Sequence, residues 1–580
     1  MRETLDARGD RYQQMSGGRL TRRALLRWSA LGLSTPAIAS LLAACGGSSA
    51  PSPAATTASQ GGVTPTSAAV TINQNTPGAG AAASPSAAAS PQAAGTPGGS
   101  VTFLRSVDST SADPVLWHNP DIWPFDSVYQ TLILVGNDGI SLVPGLAEKW
   151  DLSSDGLTVT FNIRQGVKFS DGTPMTNDDI IWSLQRAQAD TKGGWNFSLK
   201  QMKTITATDA STITVTLTGV WAPFLSDVSL FNCSIIAKAF AQKIGEANLT
   251  SQAMGTGPFS LKEWVRADHV TLVKNPSYWE QGLPYLDQIT LKQVPNTNSQ
   301  ILQVQGGQAD GIIGQGDVPL NRVPDLEKDT KLQVLKFLST YNNFVILNTK
   351  NAPLDDVKLR QALNYATDKQ AIITTILYGN AEVSNSFMPN GMLYWNKDQP
   401  AYPFDLNQAN QLMAQSKSPN GVTVTFQVSA GNALQVQLAT ALKAMWAKIK
   451  VDLNIQQLDS AVVRQNNLDE KYESMLSGWT NDIIDPDELV SYAILPDSND
   501  DYHTGWQDPQ AISLAHQAQT TLDPAKRQQL YYQIQQIHKD AAPFVYLFVL
   551  PYIDVLTAKV KGFFHHPMGQ YVFTRTYLQS

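Results

Sequence analysis

An α/β protein with more than one domain is predicted by two observations. Residues 422–428, VTVTFQV, read as a strand and residues 451–455, VDLNI, as another. Between them Leu438, Leu442, Met445, Trp446 and Ile449 fall at helical spacing on one face. A strand–helix–strand unit of this kind implies parallel neighbouring strands and a right-handed crossover. The second observation is length, since 580 residues are too many for one hydrophobic core.

Charge narrows the function classes. The formal net charge is −7, and residues 1–27 carry seven Arg against Glu3, Asp6 and Asp10. That segment is therefore +4 and the remainder −11. Nucleic-acid binding needs clustered Lys and Arg, so an acidic body argues against it and suits cationic ligands. The two cysteines, Cys45 and Cys233, build neither a disulfide framework nor a Cys-based zinc site.

The N-terminus reads as an address. Arg22-Arg23, followed by an apolar segment to Ala44, resembles a twin-arginine export signal. Leu42-Ala43-Ala44-Cys45 resembles a bacterial lipobox, which makes Cys45 the expected lipidation site over residues 1–45. Residues 46–100 are mostly Ala, Ser, Pro, Gly, Thr and Gln, and cannot bury enough apolar surface to order themselves. They read as a disordered tether with a mean reach of about 40 Å.

Order is expected from Val101. Val159, Phe161 and Ile163 alternate with polar residues in a half-buried strand after the Ser154-Asp155-Gly156 turn. Thr176 and Asp179 have the spacing of a capping box ahead of Ile180, Ile181, Leu184 and Ala187. Val270 and Leu272, then Ile289 and Leu291, mark two more strands. Asp355-Asp356, Asp368 and Asp523-Pro524 each begin a helix. Phe544–Leu550 is an apolar strand expected to re-enter the first lobe. Residues 472–489, YESMLSGWTNDIIDPDEL, form a strand that stops near Trp479 and delivers Asp482 into an acidic turn. Ligands of open α/β sheets bind outside the carboxyl ends of strands, and Asp is also a common turn residue.

The run LVPGLAEKWDLSSDGLTVTFNIRQGVKFSDGTPMTNDDIIWSL resembles the signature region of the family 5 extracellular solute-binding proteins. GTGPFSLKEW, LDDVKLRQALNYATDKQAI, GWTNDIIDPDEL and DPAKRQQLYYQIQQIHKDAAPFVYLF follow in the same order. The resemblance implies a large two-lobed periplasmic-binding-protein-like fold of the peptide-binding type. Its N-terminal lobe would comprise 101–123, 255–340 and 544–580, with an extra subdomain at 124–254 and a second lobe at 341–543. The implied function is non-enzymatic capture of a short peptide and its delivery to an ABC permease. The expected protein is a monomer held by lipid on the extracytoplasmic face of the membrane.

Asp482 lies in the Gly-Trp-x-x-Asp pattern whose aspartate, in peptide-binding members, pairs with the α-amino group. Trp479 either stacks on ligand or packs in the core. Trp395, Trp506 and Tyr394 are further aromatics in loop-like segments. Tyr341-Asn342-Asn343 reads as turn chemistry near the interlobe crossing. Asp485 and Asp487 read as turn or N-cap residues, His565-His566 as a surface pair, and no metal or cofactor is expected. An oligosaccharide ligand on the same fold is an alternative. A secreted hydrolase is another, although GxSxG, HExxH, P-loop and GxGxxG patterns are absent from the sequence.

Overall fold

Two large sheets, of seven and six strands, dominate the fold. The computed structural model describes residues 95–496 and 502–579, all within one compact unit. Arg22, Arg23, Cys45 and the tether up to residue 94 lie outside the described residues. Among the described residues no helix is long and apolar enough to cross a membrane.

The first sheet has seven strands, in the order Leu332–Phe337, Tyr552–Thr557, Gly311–Ile312, Ser100–Arg105, Gln288–Gln293, His269–Lys274 and Phe259–Val265. Ser100–Arg105 runs parallel to Gln288–Gln293 from Ser100↔Gln288 onward. The end of the expected tether is therefore ordered. Gly98 N donates to Tyr285 O at 2.8 Å and Gly99 N to Asp287 Oδ2 at 3.0 Å. Both glycines have positive φ, which lets the backbone lie against these partners before the strand begins.

The second sheet has six strands, in the order Glu382–Val383, Phe544–Val549, Asn342–Leu347, Ser474–Trp479, Val422–Ser429 and Val451–Leu458. Val422–Ser429 and Val451–Leu458 are parallel in full register, joined by the helix Ala433–Trp446. Trp446 is fully buried beside Phe426, at 6.3 Å between ring centroids, and its Nε1 donates to Thr367 Oγ1.

Phe544–Val549 belongs to this second sheet, which corrects the expectation that it re-enters the first lobe. The reason is cover. Every residue of FVYLFV is buried, with Val545, Leu547 and Phe548 in one core and Phe544 and Tyr546 in another. A strand apolar on both faces needs a layer on each side, and these two cores supply them where it pairs between Asn342–Leu347 and Glu382–Val383. The crossing comes at Leu550-Pro551 instead. Asn342-Asn343 is likewise strand rather than turn, with Asn342 opposite both Trp479 and Val549.

The two crossings run side by side. The chain leaves the first sheet at Phe337 and rejoins it at Tyr552, which are register partners. Between the sheets, Leu550 N donates to Tyr341 O at 3.1 Å and Ser339 Oγ to Leu550 O at 2.6 Å. Thr340 N donates to Pro567 O, and Thr340 Oγ1 accepts from Asn481 N at 3.0 Å. The crossing is thus tied directly to the turn that carries Asp482.

A separate four-stranded antiparallel sheet, Ala147–Leu152, Thr158–Ile163, Thr212–Leu217 and Met202–Asp209, builds its own core around Phe161, Ile180 and Val215. Cys233 is buried in it. The Thr176–Asp179 capping box forms at the start of the helix Asn177–Ala189.

Candidate ligand-binding site

Ser474–Trp479 ends where it leaves the second sheet, and the turn after it is held by one glutamate. Glu488 lies in the first turn of the helix Asp487–Ile494 and is 2% exposed. Its Oε1 accepts from Trp479 Nε1 at 3.0 Å. Its Oε2 accepts from Asp482 N at 3.0 Å and Ile483 N at 3.2 Å. The Asp482 carboxyl is half-buried and in hydrogen-bond contact with Glu488. Burial, and then the Glu488 charge, push the Asp482 carboxyl well above the usual range. Burial raises Glu488 too, while the N–H groups of Trp479, Asp482 and Ile483 pull it back.

Trp479 and Asp482 are therefore brought together, with Glu488 as the link. The Trp479 indole N–H is committed to Glu488, and its ring meets Tyr492 at 5.1 Å and Tyr502 at 6.4 Å, edge to face. From the first lobe, Tyr552 hydrogen-bonds Thr480 and feels the Asp482 charge. Tyr552 itself stacks on His565 at 3.9 Å, and His565 Nδ1 lies 2.9 Å from Asp554 Oδ2.

His565 and His566 are buried, not surface residues. His566 Nδ1 accepts from Met568 N, so its Nε2 carries the proton donated to Gly136 O at 2.9 Å. His565 is held by residues of its own lobe, and His566 ties that lobe to the turn at Gly136. Among the described residues no group of three or more His, Cys, Asp or Glu is placed to hold a metal.

Trp395 and Trp506 are placed elsewhere in the second lobe. Trp395 Nε1 donates to Asn385 Oδ1 at 2.7 Å, bracing a loop that Gln535 also holds through Tyr394 O and Asn396 N. Trp506 packs edge-on against His538 at 5.2 Å. Tyr394 lies over Tyr531 at 5.6 Å and beside the Arg527 guanidinium.

Asp485 does more than turn the chain. Its carboxylate accepts from Asp487 N at 3.0 Å and from Arg527 through two bonds, at 2.6 and 2.9 Å. The two side chains are 5% and 6% exposed. Beside them residues 222–226 touch this turn and the helix Pro509–Thr520. Asp485 N donates to Ser226 Oγ at 3.1 Å and Ala222 N to Gln519 O at 2.7 Å. Asp227 accepts from Trp221 Nε1 at 2.7 Å, and burial followed by Asp487 and Asp485 pushes it well up.

Asp487 is pushed up to about 7, first by burial and then by Asp485. Its Oδ1 is buried without a hydrogen-bond partner. A carboxyl raised on folding binds its proton more tightly in the native state, so stability falls as pH rises from the ordinary aspartate value to about 7. Above that Asp487 adds no further dependence. Thermal unfolding across this window should show the fall, and Asp487→Asn should reduce it, the part due to other raised carboxyls, among them Asp126, Asp227 and Asp482, remaining.

Sequence reasoning missed Glu488. Its signal is a glutamate six residues after Asp482, which becomes informative only when the turn folds it back.

A family model for bacterial extracellular solute-binding proteins, family 5, matches residues 141–501. This chain is a family 5 extracellular solute-binding protein. Among its relatives, heme-binding protein A of Haemophilus influenzae is 30% identical over 77% of this chain and 86% of its own length. The probable D,D-dipeptide-binding periplasmic protein DdpA of Escherichia coli is 28% identical over 81% and 92%. In structure, this solute-binding protein resembles the Helicobacter pylori periplasmic binding protein DppA in complex with the peptide STSA. The TM-score is 0.72 at 26% identity, covering 84% of this chain and 99% of that one. The two-lobed fold of these proteins is the fold described above.

Proposed function

We propose that this solute-binding protein is the lipid-anchored receptor of an ABC importer that captures a short peptide and hands it to a membrane permease. The ligand's α-ammonium would sit on Asp482. The supporting observation is a half-buried carboxyl at the carboxyl end of a central strand, in a turn bonded to the interlobe crossing, in a chain whose relatives include dipeptide-binding proteins. Trp479 would shape this seat from behind rather than hydrogen-bond the ligand through its N–H. Trp395 and Trp506 would line the second lobe's ligand face.

In this reading the lobes are 100–123 with 255–338 and 551–579, and 341–549, with 124–254 as the extra subdomain. Ligand contacts to both lobes would stabilise the closed arrangement, the motion being absorbed at 338–341 and 550–551. Arg22 and Arg23 would direct export and Cys45 would carry the lipid, without a spanning helix.

Mass spectrometry and visible absorption of whatever co-purifies, followed by calorimetry with peptides, tests the reading. Unblocked di- to tetrapeptides should bind, and the same peptides with acetylated N-termini should bind markedly less. Equal affinity for both would remove Asp482 as an amine seat, and a retained haem with no peptide affinity would overturn the peptide assignment.

A further inference from the structure

We infer that Asp482 and Glu488 act as one carboxyl pair that holds a single proton in the free protein and gives it up to solvent when a ligand ammonium docks. Capture of a cationic ligand would then be coupled to proton release. The inference deepens the amine-seat reading, and rests on it only for the identity of the cation.

The geometry assigns the two carboxyls different parts. Glu488 is buried, and both of its oxygens accept N–H groups, from Trp479 at one and from the Asp482 and Ile483 backbone at the other. Three donors aimed at one carboxyl favour its anion. Asp482 is the more exposed member of the two. Two carboxylates in contact without a cation between them do not both ionise, so they titrate as a pair. The proton therefore sits on Asp482 and is donated to Glu488.

The neighbours do not supply the missing positive charge to Asp482. Among the described residues the charged group acting on it is Glu488, and Tyr552 faces it from the first lobe. Tyr502 and Asp487 face Glu488, the first a neutral phenol and the second another acid. An arriving R–NH3+ changes the balance. Asp482 loses its proton to buffer, the ammonium hydrogen-bonds the new carboxylate, and the net charge of the pair with its ligand is conserved apart from the released proton. Affinity for such a ligand should rise about tenfold per pH unit below the pair's upper titration and be flat above it. A neutral ligand should show no such slope.

The test uses the full chain stripped of ligand, with 13C-carboxyl aspartate and Asp482→Asn to assign the signal. The Asp482 signal should be that of a protonated carboxyl at neutral pH, and should move to the ionised position on adding either butylammonium or a pool of unblocked dipeptides. Calorimetry in two buffers of different ionisation enthalpy should report about one proton released per ligand bound. In Glu488→Gln, checked for folding by circular dichroism, Asp482 should titrate below its wild-type position, since the neighbouring charge is gone while the burial stays, and the proton release should shrink. An Asp482 signal already ionised at neutral pH in the free protein overturns the pair, as does a protonated signal that neither probe moves. If butylammonium ionises Asp482 and peptides do not bind, the pair stands and the peptide assignment fails.

Discussion

Arg527→Ala should cost this protein about 3–5 kcal/mol of stability, because it leaves the Asp485 carboxylate buried without its cation. The pair is bidentate and nearly fully buried. Arg527 also donates to Ala518 O at 2.8 Å and to Tyr531 Oη at 2.8 Å, so its loss orphans acceptors on three segments. Urea unfolding of the wild type and the variant measures the cost. Replacing both partners together, Arg527→Met with Asp485→Leu, should cost less than Arg527→Ala alone, since no isolated charge remains. A single variant as stable as the wild type would mean that water reaches Asp485. The effect should extend to ligand binding, because Asp485 anchors the far end of the turn that presents Asp482.

Asp482→Ala should separate affinity from stability. Truncating one partner of a desolvated, hydrogen-bonded charge pair costs about 2–5 kcal/mol of binding free energy, or about 30-fold and upward in Kd. The loss should be seen with unblocked peptides and be small with N-acetylated ones. Stability should not fall with it. In the free protein the removal of Asp482 loses one shared proton but also relieves the burial of a carboxyl, and it leaves Glu488 with its three N–H donors. A melting temperature equal to or above that of the wild type, together with weakened binding, is the expected signature. Weakened binding with a lower melting temperature would instead place Asp482 among the residues that hold the turn.

These two residues sit three positions apart and have opposite economies. Asp485 is satisfied by the protein itself, through Arg527, Tyr531 and the Asp487 backbone. Asp482 is left facing another acid, Glu488, with no cation from the protein acting on it among the described residues. A carboxyl whose shift comes from burial plus another acid marks a functional position more strongly than one paired within the fold.

Much of the architecture is legible in local pattern. Strand 158–163 alternates with period two, the helix after Thr176 carries its own capping box, and 422–455 encodes a parallel crossover unit. These features depend on residues within a few positions of each other, and the sequence by itself determined them. It also placed Asp482 just past a strand end, because Trp479 and the acidic turn adjoin in the chain.

Tertiary structure alone decided the rest, wherever the partner is distant. Phe544–Val549 is apolar on both faces in either lobe. Only its pairing with Asn342–Leu347, about two hundred residues away, assigns it to the second sheet. His565-His566 looks like a surface pair in the sequence. It is buried because Tyr552, Asp554 and Gly136 supply a ring face and acceptors from other segments. Glu488 is a helix residue by propensity, and becomes half of a carboxyl pair because the turn folds it back under Trp479. The sequence holds both acids, but the distance between them, and hence the proton they share, is set by how the chain closes on itself.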